Sequence, residues 1–212
     1  MKTTRKIKPT KFSVAGFLPF KDGKSIPYES ILERDCITYF AFRKDVTNIV
    51  SQPITIPFIK NGRKYHYTPD FYIEFDTTSG LKPLIIEVKP KSKWQKHWRD
   101  WSNKWKAMIN YCKENGYQFH IFDESRIYHQ ALDNIQFLAR YQRISYEPTE
   151  FEEIKKLLLL HQSLTLSDLK VALSPVIPKQ HIERLVLHLI FVKKLEIDLF
   201  EPINDSSLVW LG

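Results

Sequence analysis

Asp70, Glu87 and Lys89 are the residues whose types and spacing suit chemistry best in this 212-residue chain. Glu87 and Lys89 stand in Leu84-Ile85-Ile86-Glu87-Val88-Lys89-Pro90, a short apolar, β-branched run that predicts a buried strand. Side chains alternate faces along a strand, so Ile85, Glu87 and Lys89 share one side while Leu84, Ile86 and Val88 share the other. Charges in such a strand need partners, because a dry, unpaired charge costs on the order of several kcal/mol. Upstream, Tyr67-Thr68-Pro69-Asp70-Phe71 supplies a second carboxylate. Phosphodiester hydrolysis asks for an activated water, neutralisation of the scissile phosphate and help for the leaving oxygen. Mg²⁺ (with Mn²⁺ as a substitute) supplies most of this and takes hard oxygen ligands. The expected ligand set is Asp70, Glu87, Glu33 from a helix, and the backbone carbonyl of Val88. Clustered carboxylates repel, which raises their pKa values until a cation binds. Lys89 would orient or deprotonate the attacking water and stabilise the transition state. The alternative without chemistry is a buried ion network of Asp70, Glu87 and Lys89.

Several elements must position these groups. A helix is expected over 26–43, with Ser25 and Pro27 as start signals and Tyr28, Leu32, Cys36, Tyr39 and Phe40 as its apolar stripe. Glu29 falls in its first turn, where the helix dipole alone favours a carboxylate. Glu33 would lie deeper and border the buried face, which makes it a candidate ligand. A hairpin is expected with strands over 54–59 and 65–75 around Lys60-Asn61-Gly62-Arg63, since Asn-Gly supplies the positive φ values of a tight turn. Asp70 would then lie inside the second strand, aimed by a bulge or edge at Pro69.

Beyond Lys89, Trp94, Trp98, Trp101 and Trp105 recur at 4-3-4 spacing on one helical stripe, continued by Met108, Ile109 and Cys112. Trp101 and Trp105 are expected in the core. Trp94 and Trp98 are the ones that would face DNA or a partner, and Lys91, Lys93, Lys96 and Arg99 are the candidate phosphate contacts. A strand over 117–122 and a helix over 126–141 follow. His66, His97, His120 and His129 show no zinc-ligand spacing.

Charge divides the chain. Residues 1–147 hold 25 Lys+Arg against 15 Asp+Glu, and residues 148–212 hold 7 against 9. The basic excess of the larger part suits a polyanionic partner. Residues 1–24 read as a basic arm, 25–147 as the catalytic domain, and 148–212 as a small winged-helix-like domain of three helices and a β-hairpin. The last part is too acidic for strong duplex affinity and favours protein docking. Cys36 and Cys112 read as core thiols of a reducing compartment. Neither a signal peptide nor a membrane span is expected, and the location read from this is cytoplasmic, at the bacterial nucleoid when acting.

Pro-Asp, a spacer, then Glu-x-Lys on the next strand resembles the PD-(D/E)xK nucleases. A narrower resemblance follows from Ser30-Ile31-Leu32-Glu33, Val46 to Gln52-Pro53, Tyr67-Thr68-Pro69-Asp70-Phe71, Ile86-Glu87-Val88-Lys89-Pro90 and Gly116-Tyr117-Gln118-Phe119-His120-Ile121-Phe122-Asp123-Glu124, in that order. Together they resemble TnsA, the endonuclease subunit of heteromeric cut-and-paste transposases. The resemblance implies an α/β, restriction-endonuclease-like mixed sheet flanked by helices. Its catalytic set falls on Glu33, Asp70 and Lys89, and position 87 can be Gln in that family. It further implies a metal-dependent endonuclease that cuts the 5′, non-transferred strands of double-stranded DNA at transposon ends. A DDE transposase (TnsB-like) would cut and join the 3′ ends, and an ATPase regulator (TnsC-like) would dock on the C-terminal region. The competing readings are a free-standing restriction or repair nuclease of the same superfamily and a non-catalytic adaptor bridging DNA and partners.

Overall fold

The computed structural model of the chain describes residues 14–212, and the basic residues before them lie outside the description. Two compact units divide at Tyr128/His129. In the first, β1 (Gly16–Pro19) and β2 (Ser25–Tyr28) pair antiparallel, with Phe17 opposite Pro27. The helix expected from residue 26 therefore begins later. α1 runs Ile31–Phe42, with Ser30 as N-cap. Ser30 and Glu33 form an S-x-x-E capping arrangement, a stronger start signal than Ser25 with Pro27. Glu33 is accordingly in the first turn of α1 and not deeper, as the earlier start would have placed it.

β3 (Val46–Ser51) leads to a hairpin of β4 (Ile56–Lys60) and β5 (Arg63–Tyr67). Its turn is the expected one: Asn61 and Gly62 both take positive φ, 51° and 73°. The long second strand expected after it is broken. The chain leaves the hairpin after Tyr67 and re-enters a different sheet at β6 (Phe71–Phe75). Pro69 has no amide to donate to a ladder, and Asp70 sits in the gap rather than in a strand.

β7 (Leu84–Val88) is wholly buried, α2 spans Lys91–Asn115, and β8 (Gln118–Phe122) returns parallel to β7. The four-stranded mixed sheet has the order β3-β6-β7-β8, antiparallel except for that last pair. One face packs on α2, where Val50, Tyr72 and Ile85 meet Trp105, Met108 and Cys112. α1 packs on β3 and β7, with Phe40 edge-on to Phe122. Gly116, in the left-handed region at φ 73°, ends α2 and turns the chain back to the sheet. α3 (Glu124–Ile127) closes the unit, capped by Asp123.

The second unit holds α4 (Gln130–Leu138), α5 (Pro148–His161), β9 (Ser163–Thr165), α6 (Leu166–Leu173), α7 (Lys179–Phe191), β10 (Leu195–Ile197) and β11 (Leu208–Leu211). The single helix expected over 126–141 is two, because His129 breaks it and caps α4. α4 is part of this unit, so the units divide some twenty residues before the change in charge balance. Charge balance follows surface composition, whereas the division follows packing. The three later helices fall where periodicity put them. β9 was not expected: three residues carry too little pattern, and it exists by pairing with β11 in the order β10-β11-β9. Cys36 and Cys112 are buried free thiols, as expected of core residues. No helix among the described residues is long and apolar enough to cross a membrane.

Candidate active site

Asp70 is fixed by its backbone on both sides. Its N–H donates to the Ile86 carbonyl at 3.0 Å, and its carbonyl accepts from the Gln52 amide at 2.8 Å. Gln52, in the left-handed region at φ 49°, makes the turn after β3 that brings that amide within reach. The Asp70 carboxylate then points at the end of β7: Oδ2 accepts from the Val88 amide at 2.7 Å and from Lys89 Nζ at 3.2 Å. A break between two sheets thus does what a bulge was expected to do.

Lys89 completes the cluster. Its ammonium donates to Asp70 Oδ2 and to the Val88 carbonyl at 3.0 Å, and lies 3.5 Å from Glu87 Oε1. Strand alternation predicted that Glu87 and Lys89 share a face, and they do. Both oxygens of Glu87 have further partners. Tyr67 Oη donates to Oε2 at 2.7 Å, and Lys104 Nζ donates to Oε1 at 3.0 Å. Glu33 stands at the start of α1. Its Oε2 accepts from the Glu29 amide at 2.8 Å, and Oε1 accepts from Ser30 Oγ at 3.1 Å.

The electrostatics follow from burial. Removal from water, and next the Glu87 carboxylate, push the Asp70 carboxyl up to about 7, against the Lys89 ammonium and the Val88 amide. Burial also raises Glu33, although the Glu29 amide, Lys89 and Ser30 favour its charged form. Burial by itself lowers Lys89, but Asp70, Glu87 and Glu33 outweigh it and hold the ammonium above its ordinary value. Burial, then Glu87, raises the Tyr67 phenol well above its usual value and keeps it a donor.

Among the described residues, no three His, Cys, Asp or Glu side chains are grouped so as to hold a metal ion. The donor chemistry nonetheless fits a hard cation. Carboxylate and carbonyl oxygens are the ligands a divalent ion of the Mg²⁺ kind takes. The Lys89 ammonium already stands on three of the oxygens in the expected set, from Asp70, Glu87 and Val88, as a cation would.

Of the other expected residues, Lys91, Lys93, Lys96 and Arg99 all lie exposed on the first half of α2. Trp98 is 52% exposed beside them, with the Arg99 guanidinium 5.6 Å from its ring. Trp94 is not free for DNA in the same way: its Nε1 donates to Asp123 Oδ2 at 2.9 Å and ties α2 to the end of β8. Trp105 is core, as expected.

The residues that sequence reasoning missed are Tyr67, Lys104 and Gln52. Lys104 left a signal: three residues after Trp101 and four before Met108, it lies on the face that packs inward. A lysine on that face needs an anion, and Glu87 is it.

A mixed sheet flanked by helices is consistent with a nuclease-like fold. Residues 43–124 match the family described as TnsA-like endonuclease N terminal. Over those residues the chain is similar to a TnsA-like endonuclease domain. The matched segment contains Asp70, Glu87 and Lys89 and begins after Glu33. No curated protein matches the chain.

Proposed function

We propose that this chain cuts the 5′, non-transferred strands of DNA at transposon ends during cut-and-paste transposition. The observation that carries this reading is the Lys89 ammonium seated on Asp70 Oδ2 and the Val88 carbonyl within a TnsA-like endonuclease domain. Asp70, Glu33, Glu87 and the Val88 carbonyl would hold Mg²⁺ or Mn²⁺. When bound, such an ion supplies charge neutralisation and Lewis acidity at the scissile phosphate. The chain's own residues do the rest. Asp70 is held in register by the Ile86 carbonyl and the Gln52 amide, so its carboxylate needs no reorganisation. Lys89, released from Asp70, turns its ammonium to the phosphate and orients the attacking water. Glu87 is oriented by the Tyr67 hydroxyl and the Lys104 ammonium. Lys91, Lys93, Lys96 and Arg99 meet phosphates outside the reacting centre and set the duplex against α2.

Residues 148–212 form a winged-helix-like domain in this reading. Its helices α5, α6 and α7 and the order β10-β11-β9 support that assignment. Its acidic balance favours docking of an ATPase regulator, while a DDE transposase cuts and joins the 3′ ends.

The test is strand-specific nicking of a transposon-end duplex with Mg²⁺ or Mn²⁺, comparing the unchanged protein with Asp70→Ala, each with and without the transposase partner. Asp70-dependent cutting of the 5′ strand only with the partner is expected. Partner-independent cutting identifies a free-standing nuclease, and processing that never depends on Asp70 identifies a non-catalytic adaptor.

A further inference from the structure

The β4–β5 hairpin is a sheet of its own and runs into Asp70 through Thr68 and Pro69. Residues 54–69 include Lys60, Arg63 and Lys64 and no Asp or Glu. One face of the hairpin is committed to packing. Ile56 and Tyr67 are buried there, and Phe58 lies against the cluster that holds Trp105 and Met108 of α2. Strand alternation turns Pro57, Ile59, Lys64 and His66 the other way, and all four are exposed, Ile59 at 64%. Lys60 is tied to Asp100 of α2 at 3.3 Å, whereas Arg63, exposed at the tip, and Lys64 make no ion pair among the described residues. The base of the hairpin is fixed beside the candidate site. Tyr67 Oη donates to Glu87 Oε2 at 2.7 Å, and the Thr55 and Thr68 hydroxyls meet at 2.7 Å.

Uncompensated cations on a ribbon without acids suit a polyanion. The major groove of a duplex, roughly 12 Å wide, admits a two-stranded ribbon of this kind. Addition of a protein strand is disfavoured, because Pro57 and Lys60 blunt the β4 edge and Arg63 and Lys64 the β5 edge. We propose that the β4–β5 hairpin is a DNA-binding ribbon that enters the major groove beside the cleaved phosphate, with Arg63 and Lys64 on the backbone and Ile59 toward the base edges. The inference rests on the nuclease reading above and deepens it. Because the ribbon is anchored at Glu87 and continues into Asp70, its grip sets which phosphate of the strand reaches the site. Ile59 there makes the apolar contact that a thymine methyl takes.

The test uses the full chain with its transposase partner on a transposon-end duplex. Cys36 and Cys112 are buried, so an iron chelate tethered to Lys64→Cys, in the non-cutting Asp70→Ala background, marks one position. Cuts by the chelate within a few base pairs of the transposon terminus are expected. Lys82→Cys, just before the opposite end of β7, is the comparison and should leave that DNA uncut. With Asp70 intact, Arg63→Ala with Lys64→Ala should weaken binding to the partner-bound duplex about tenfold or more. The pair should also flatten the slope of log affinity against log salt by about two units, one per phosphate. Arg63→Lys with Lys64→Arg keeps both charges and should restore most of that slope, while binding to the transposase without DNA stays the same in every variant. The ribbon is overturned if the chelate on Lys64→Cys cuts no nearer the terminus than that on Lys82→Cys, or if the alanine pair leaves affinity and salt slope as they were. It is equally overturned if the alanine pair loses the transposase without DNA, since the hairpin then docks protein. Any of these results with Asp70-dependent cutting intact leaves the nuclease reading standing. An unchanged protein with no Asp70-dependent cutting overturns that reading instead, and the tethered chelate still reports whether the ribbon lies on DNA.

Discussion

Lys89 and Trp105 show two ways in which one side chain decides a property of the whole. Lys89 has three oxygen partners and only one residue, Val88, between it and Glu87, so removing its ammonium takes from the buried Asp70 the cation that stands on its carboxylate. Lys89→Ala is expected to abolish 5′-strand cutting while a DDE partner still cuts 3′ ends. Products would then shift from simple insertions toward cointegrates, which gel analysis of transposition products reads directly; unchanged product ratios would refute the role. Trp105 is 8% exposed in the cluster with Ile85, Met108 and Cys112. Trp105→Ala should destabilise by roughly 3–5 kcal/mol in denaturant unfolding. Its Nε1 is buried with no hydrogen-bond partner, so Trp105→Phe, which deletes that donor, should cost much less. Equal losses for the two variants would show that the N–H has a partner in solution.

At the scale of elements, the ends of α1 and the outer face of α2 matter most. Arg43, just past α1, donates from Nε and Nη2 to the two oxygens of Asp45 at 2.9 and 2.6 Å and covers the Phe75 ring at 5.1 Å. The Arg43 hydrogen bonds hold the Asp45 carboxyl below its usual value. A lowered folded pKa means stability that is present above the unfolded value, near about 4, and is lost as pH falls through the folded one. Asp45→Asn should therefore melt lower than the unchanged protein at neutral pH, by an amount worth about 1 kcal/mol, and the gap should close toward pH 2. A gap independent of pH would mean that charge is not its cause. On α2, neutralising Lys91, Lys93, Lys96 and Arg99 together should weaken DNA binding across sequences. It should also flatten the slope of log affinity against log salt by about one unit per lost phosphate contact. A salt slope that does not move would place the DNA elsewhere.

Over the whole molecule, the basic charge and the candidate site belong to the first unit, and the second is the more acidic. If residues 148–212 serve docking, cross-linking with the ATPase regulator should map there, and loss of those contacts should remove regulation by that partner. Cross-links confined to the first unit would exclude this division of labour.

Much of this was legible in the sequence wherever the deciding free energy is local. Asn61-Gly62 specifies its turn through positive φ, the β-branched run at 84–88 specifies a buried strand, and the 4-3-4 tryptophans specify one face of α2. Strand alternation alone put Glu87 beside Lys89, and the order of motifs marked Asp70 as their partner. What the sequence left undecided depends on neighbours distant along the chain. Ser25–Tyr28 carries helix-start residues but is a strand because β1 offers it a partner. The run through Asp70 breaks because β5 and β6 belong to different sheets. Glu87 is held by Tyr67 and Lys104, each 17 or more residues away. Local pattern fixes where a charged side chain points; only the tertiary structure determines which charges it meets, because that pairing is set by packing between elements and not by periodicity within one.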